Sequence, residues 1–331
     1  MRVVVIGGTG NISREIVRAL MGRGDEVTVY NRGRHRDPQP EGVRVVHGDR
    51  KDRPAFEAAM RELELDAAID MISYSPDDAA SAMRAFAGRV GHFIHCSTVM
   101  TYGPPVPQPV CDEESPLGAR TPYGQAKNAA DALLLQAHAE SGFPVTIIKP
   151  SYTFGPGIPL HRMIGDDGNW IDRMRKGKPI LSAEGQLLFQ FLPSRDAGDL
   201  FALCLGRTGM LGQIYNMVHP QAITWDDWHR AASQAVGVEN EIVNVPQAAL
   251  ERIDDRYKGI ESNFGHQQVF SGRKLEQAVP EWRPSTPLVE WMTANIAWMD
   301  QHGLVTDSDA DPLEDRIIAD LRAMPDRVRS A

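Results

Sequence analysis

The chain has 331 residues, with 44 Asp and Glu against 35 Lys and Arg and a formal net charge of −9. That length holds one large domain or a domain with a smaller companion, and the acidic balance argues against a protein whose main work is gripping nucleic acid or an anionic membrane. No apolar run approaches the ~20 residues a membrane helix needs, and the three widely spaced cysteines, Cys96, Cys111 and Cys204, fit reduced thiols rather than a disulfide framework or a zinc site.

Met1-Arg2 leads at once into an apolar strand and a glycine turn, too short for the apolar region of a signal peptide, so a cytoplasmic location is expected. Residues 3–6, 27–30, 43–46, 67–72, 92–96 and 145–148 are short, β-branched runs and are predicted as buried strands. Between the first two, Ile12, Ile16 and Leu20 mark one side of a helix that Gly22 and Gly24 end. Strands alternating with helices predict an α/β fold with a parallel, doubly wound sheet, and right-handed crossovers leave few alternatives. After Gly155-Pro156-Gly157 the regularity fades. Helices are predicted near 170–175, 196–205, 225–235 and 313–324, and a last sheet strand at 213–217. The expected division is a nucleotide domain of residues 1–155 with about 191–220, and a smaller substrate lobe and tail of about 156–190 with 221–331.

Gly7-Gly8-Thr9-Gly10 follows a strand and opens a helix, the context in which a glycine motif has physical meaning. Glycines permit a tight turn and close approach of the backbone to a pyrophosphate, which then faces the amides and positive end of the helix. Gly7, Thr9, Gly10, Asn11 and Ile12 are the candidate residues there. Ser13 occupies the place of a further glycine, so helix and sheet should pack more loosely. The second strand ends at Tyr30-Asn31-Arg32-Gly33-Arg34. A carboxylate here would bind the ribose hydroxyls of NAD. Asn31 is neutral and Arg32 and Arg34 offer guanidinium groups to a 2′-phosphate, which favours NADP, with NAD as the alternative. Asp49, followed by Arg50, is placed to accept from an adenine amino group or to cap the next helix, and Met71, Ile72 and Ser73 to lie under the middle of the cofactor.

The fifth strand runs into Ser97-Thr98-Val99-Met100, and Tyr123-Gly124-Gln125-Ala126-Lys127 follows behind a good helix start at Thr121-Pro122. Tyr123 and Lys127, four residues apart, share one helix face. The ammonium makes the phenolate easier to form, so the tyrosine serves as an acid/base, and the Thr98 hydroxyl can hold a substrate oxygen beside it. A chance YxxxK match is common; in register with the strand-five hydroxyl and the glycine turn it is a poor explanation.

In these residues, in Asp49, and in Lys149-Pro150-Ser151-Tyr152-Thr153-Phe154-Gly155-Pro156, the chain resembles the extended short-chain dehydrogenases/reductases, the NAD(P)-dependent epimerase/dehydratase family. The resemblance implies a Rossmann-type sheet with a C-terminal substrate lobe, and the roles of acid/base for Tyr123, of tuning the phenol and binding the nicotinamide ribose for Lys127, and of orienting the substrate oxygen for Thr98. It implies that the backbone of Pro150 passes the nicotinamide, and a homodimer through the helix of Tyr123 and the one before it. Ala129, Ala130, Leu133 and Leu134 belong to that interface or to the core. The stretch from Asp70 to Pro76 is nearest the chloroplast stem-loop-binding branch, which raises a non-catalytic alternative, a cofactor-sensing or RNA-binding protein.

Family 4,6-dehydratases follow the threonine with an Asp-Glu pair, where this chain has Val99 and Met100, so dehydration is disfavoured. What is left is reversible hydride transfer at a secondary alcohol or ketone of a sugar or sugar-like small molecule, or, as the alternative, a nucleotide-sugar 4-epimerase that retains its cofactor. Tyr152 and Phe189 stand where nucleotide-sugar enzymes of the family usually place polar diphosphate contacts, and with Met100 they are the candidate substrate residues. No nucleic acid, membrane or metal partner is expected.

Overall fold

A computed structural model of the chain describes residues 1–34, 38–165, 168–260 and 264–323. The chain forms two compact units, the first of residues 1–157, 190–222 and 268–286, the second of 158–189, 223–267 and 287–331.

The first unit is built on strands β1 (Arg2–Ile6), β2 (Glu26–Asn31), β3 (Arg44–His47), β4 (Ala67–Asp70), β5 (His92–Cys96) and β6 (Val145–Pro150), with Gln213–Met217 as a seventh, in the order seventh-β6-β5-β4-β1-β2-β3. Every neighbouring pair is parallel. Helices α1 (Asn11–Gly22), α2 (Arg53–Arg61), α3 (Pro76–Phe86) and α4 (Pro122–Ser141) form crossovers. Because strand side chains alternate, β1 sends Val3 and Val5 into a core layer with Ile16, Leu20 and Phe201, and Val4 and Ile6 into the opposite layer with Phe56, Phe86 and Leu134. Each such side chain, fully buried, stabilises the fold by about 1.5–3 kcal/mol. The third strand departs from expectation. It is the sheet edge rather than a buried strand, and Val45 is 38% exposed.

Chain order reverses at β1, with β2 on one side and β4 on the other, the switch point at which ligands bind in open α/β sheets. Register sets Ile6 beside Tyr30 and Asp70, and Asp70 beside His95. The residues that follow each strand, Gly7, Asn31, Met71 and Ser97, therefore emerge along one edge. The glycine turn is conformationally demanding: Gly7 and Gly8 take φ of 117° and 75°, and a Cβ on Gly8 would collide with Val29. Ser13, in place of a further glycine, is buried, and its hydroxyl accepts from the Gly10 amide at 2.9 Å and closes the turn.

Residues 268–286 belong to this unit, whereas the sequence reading put them in the lobe. Long-range hydrogen bonds account for this. Cys111 and the 269–271 backbone exchange two of them, the Phe270 amide donates to Gln190, and the Trp282 indole donates to the Asp196 carbonyl. On α4, Ala130 and Leu134 are core residues and Ala129 is exposed.

The second unit has small sheets pairing Ile180–Ala183 with Ile242–Val245 and Leu188–Phe189 with Ile223–Thr224. Helices Asn169–Arg175, Trp225–Ala235, Leu288–Gln301 and Leu313–Ala323 belong to it; the predicted end of the last helix, Met324, and the tail to 331 lie outside the described residues. Its core is aromatic, with Phe189 stacked on Trp225 at 4.0 Å between ring centroids. Glu314 joins the buried Arg162 at 2.5 Å and Arg173 at 3.5 Å.

Candidate active site and cofactor cleft

A cavity of about 830 Å³ opens along the switch-point edge of the first unit. At one end lie Asn31, Arg32, Arg34 and Asp49; in the middle Gly7, Gly10, Asn11 and Met71; at the other end Thr98, Tyr123, Lys127 and Pro150. Thr9, Ile12, Arg50 and Ile72 also line it. Residues scattered between positions 7 and 153 thus share one concave surface because the parallel sheet delivers the ends of six strands, β1 to β6, to it.

The middle fits a pyrophosphate. The strained glycines leave the backbone bare, and α1, 12 residues long with no acidic side chain in its first turn, points its uncompensated positive end at the space. At the adenosine end, the Asn31 side chain accepts from the Gly33 amide at 2.8 Å, a turn that needs Gly33 at φ 67° and leaves Arg32 and Arg34 exposed at the rim. Asp49 accepts from the Lys51 amide at 2.9 Å and does not cap the next helix, a role Asp52 takes. Arg50 lines the cavity, yet its guanidinium lies 3.9 Å over Phe56, 3.2 Å from Asp70, and donates to the Asp78 carbonyl at 2.6 Å. These contacts pin the loop after β3 to the floor of the cleft.

At the other end, α4 begins as the sequence predicts, with the Thr121 hydroxyl accepting from the Gly124 amide and Pro122 in the first turn. Gly124 has a further purpose that sequence reading missed. A Cβ there would stand 2.8 Å from the Met100 carbonyl oxygen, so only glycine lets the helix start against the segment bearing Thr98. Tyr123 is 44% exposed and lines the cavity with its phenol close to the Thr98 side chain. Desolvation nevertheless dominates its titration and pushes the phenol well above its ordinary value, with Cys96 and Tyr74 adding to the rise and the Thr98 hydrogen bond opposing it.

Lys127 is 1% exposed, and its ammonium donates to the backbone carbonyls of Ser73 at 2.7 Å and Cys96 at 2.6 Å. Burial lowers its pKa, partly offset by Cys96, Asp70 and Asp131. The expectation that this ammonium eases phenolate formation is not met in the protein alone. It sits 5.9 Å from the Tyr123 ring centroid, its hydrogen bonds go to carbonyls, and desolvation of the phenol is the larger effect.

Ser73 is fully buried and contributes its carbonyl to Lys127 rather than a surface to the cavity. Nor do the candidate substrate residues join the cavity lining. Met100 lies in a short 3-10 helix and donates its amide to Thr98 Oγ1 at 3.2 Å. Tyr152 is in a strand paired with Phe191, and Phe189 is a core residue of the second unit. Tyr74 was not anticipated. It is 51% exposed, lines the cavity, and its ring lies 6.2 Å from that of Tyr123 and 4.9 Å from Lys127 Nζ. Its signal in the sequence was its place just beyond the fourth strand.

The family model of the NAD dependent epimerase/dehydratase family matches residues 3–217. The chain belongs to that family. It is 27% identical over 315 residues to the 2′-dehydrokanamycin reductase of Streptomyces kanamyceticus, covering 93% of this chain and 87% of that protein. It is 25% identical over 318 residues to the chloroplast stem-loop binding protein of 41 kDa b of Arabidopsis thaliana, covering 88% and 77%. Among solved structures, the dTDP-glucose 4,6-dehydratase of Bacillus anthracis in complex with NAD shares the fold, with a TM-score of 0.71 at 16% identity over 91% of this chain and 97% of that one. The family is one of NAD(P)-dependent enzymes, and the glycine turn and cleft of this epimerase/dehydratase family member have the chemistry such a dinucleotide requires.

Proposed function

We propose that this family member is an NADP-linked oxidoreductase that reduces a ketone, or oxidises the matching secondary alcohol, on a sugar or sugar-like substrate. One observation carries the reading: a single cavity is lined by the glycine turn, by Arg32 and Arg34, and by Thr98, Tyr123 and Lys127. When bound, a nicotinamide supplies a hydride acceptor or donor. The chain's own part is acid/base and positional. A phenol pushed above its ordinary pKa is protonated at neutral pH, so Tyr123 is suited to give a proton to a carbonyl oxygen as hydride arrives at the carbon. Thr98 holds the same oxygen, and Lys127 sets a buried amine beside the site, held by the Ser73 and Cys96 carbonyls. Arg32 and Arg34 favour a 2′-phosphate, and neutral Asn31 does not repel it.

Val99 and Met100 have no group that exchanges protons, which speaks against an elimination following the oxidation. Net oxidoreduction is favoured over 4-epimerisation because the relative whose match spans 93% of this chain is named a 2′-dehydrokanamycin reductase. The test is steady consumption of NADPH with keto-sugars, followed at the nicotinamide absorbance. Tyr123→Phe should lower turnover by roughly 10²–10⁴-fold. Full turnover in that variant would exclude Tyr123 as the acid.

A further inference from the structure

Behind the cavity lies a buried charged cluster that the proposed reaction does not use. Asp131 is two helical turns beyond Tyr123 on α4. Its Oδ2 accepts from the Ser97 hydroxyl at 2.7 Å and lies 3.3 Å from Lys149 Nζ, while its Oδ1 lies 3.3 Å from His95 Nε2. Lys149, from β6, donates to Thr101 Oγ1 at 2.9 Å, and that hydroxyl donates to the carbonyl of Thr98 at 2.8 Å. All five residues are buried.

Burying a carboxylate and an ammonium costs several kcal/mol per ion, roughly, which mutual attraction repays only in good geometry. Here burial acts against both charges. For Asp131 the contacts with His95, Lys149 and Ser97 outweigh it and hold the carboxylate below its ordinary range; for Lys149 burial outweighs Asp131 and lowers the pKa. The carboxylate is the charge the cluster holds firmly, since it has three partners.

The partners come from the elements that carry the proposed site. Ser97 precedes Thr98, Lys149 precedes Pro150, and Asp131 shares its helix with Tyr123 and Lys127. One carboxylate therefore ties the end of β5, the end of β6 and α4 to each other. We propose that Asp131, with Ser97 and Lys149, is a positioning device that sets the Thr98 hydroxyl against the Tyr123 phenol. The proposal rests on the reading of Thr98 and Tyr123 as the oxygen-binding pair, but its test does not depend on turnover.

The full chain, labelled with 3-fluorotyrosine, gives fluorine resonances for its 7 tyrosines, and Tyr123→Phe assigns that of Tyr123. Thr98→Val, which removes the hydroxyl directly, defines the displacement caused by losing the Thr98–Tyr123 contact. Asp131→Asn and Lys149→Met should displace the Tyr123 resonance in the same sense while leaving Tyr30 and Tyr257 in place. Lys149→Arg should restore it, and NADPH affinity should stay within about twofold. Ser97→Ala, the mildest change, keeps the test open if the charge variants do not fold. A Tyr123 resonance unmoved in folded Asp131→Asn or Ser97→Ala overturns the proposal. A displaced resonance in a chain that reduces no ketone leaves the positioning device standing and sinks only the reductase reading.

Discussion

At the scale of single residues, cofactor choice is the most accessible consequence of the cleft. Arg32 and Arg34 are exposed at its rim and Asn31 is committed to the Gly33 amide, so the turn offers a phosphate two exposed cations. Charge-assisted hydrogen bonds of this kind contribute about 1.5–3 kcal/mol each. Arg32→Ala should therefore weaken NADPH binding about 10-fold or more and leave NADH binding nearly unchanged, as titrations of nicotinamide fluorescence would read. Equal losses for the two cofactors would show that the arginine does not meet the 2′-phosphate.

At the scale of elements, α4 is the part whose placement matters most, and Gly124 decides how closely it approaches the Thr98 segment. An ordinary helical Gly→Ala change stabilises by roughly 0.5–1 kcal/mol. Here the added Cβ would meet the Met100 carbonyl oxygen at 2.8 Å and the Ala119 Cβ at 2.9 Å. Overpacking against backbone typically costs about 1–3 kcal/mol, so Gly124→Ala should lower Tm and, by moving Tyr123 away from Thr98, lower turnover as well. A raised Tm would contradict the close contact.

The same element shows what the sequence could and could not reveal. Thr121, Pro122, Tyr123 and Lys127 announce a capped helix with a polar pair on one face, because capping and helical spacing are local rules. That Ser73 and Cys96 offer their carbonyls to Lys127, or that Asp131 reaches Ser97 and Lys149, depends on strands far apart in the chain and has no local signature. The aromatic residue Phe189 was ambiguous for the complementary reason. A large apolar side chain has the same pattern in a core as in a pocket, and Phe189 proved to be stacked in a core.

For the whole molecule, the alternating strands and helices of the first 150 residues were legible because periodicity and β-branching report burial on a parallel sheet. In the second unit the helices Asn169–Arg175, Trp225–Ala235 and Leu313–Ala323 were legible, whereas its two- to four-residue strands, too short to show a period, were not. Each unit also holds a buried neutral histidine. In the first, His92 accepts from the Gly206 amide at Nδ1, 3.0 Å, and has Nε2 2.8 Å from Thr146 Oγ1, whose own proton goes to the Met210 carbonyl; this arrangement selects the neutral tautomer. In the second, His229 sits beside Trp170 and Trp225, with Arg162 and Arg230 adding repulsion to the burial. Burial lowers His92 to about 4 and His229 to about 3.

An unfolded histidine titrates near ~6.5. The unfolded chain therefore takes up protons before the folded one as pH falls. Stability is full above about pH 6.5 and declines down to the folded values, by about 1.4 kcal/mol per pH unit per histidine once well below 6.5. Between pH 7 and 5 the two together should remove roughly 4 kcal/mol, and His229→Phe should flatten the slope by about one proton. Denaturant unfolding at several pH values measures this; a slope unchanged in His229→Phe would show that the histidine does not stay neutral in the fold.

The central claim is that Tyr123, Thr98 and Lys127 serve a hydride transfer inside the cleft. The most direct measurement uses NADPH carrying deuterium at the transferable position, keto-sugars as acceptors, and mass spectrometry of the products, with Tyr123→Phe in parallel. The account predicts an alcohol product one mass unit heavier than that made with unlabelled NADPH, formed by the unaltered chain and lost, by roughly 10²-fold or more, in the variant. Products without deuterium, or equal incorporation by the variant, would contradict it.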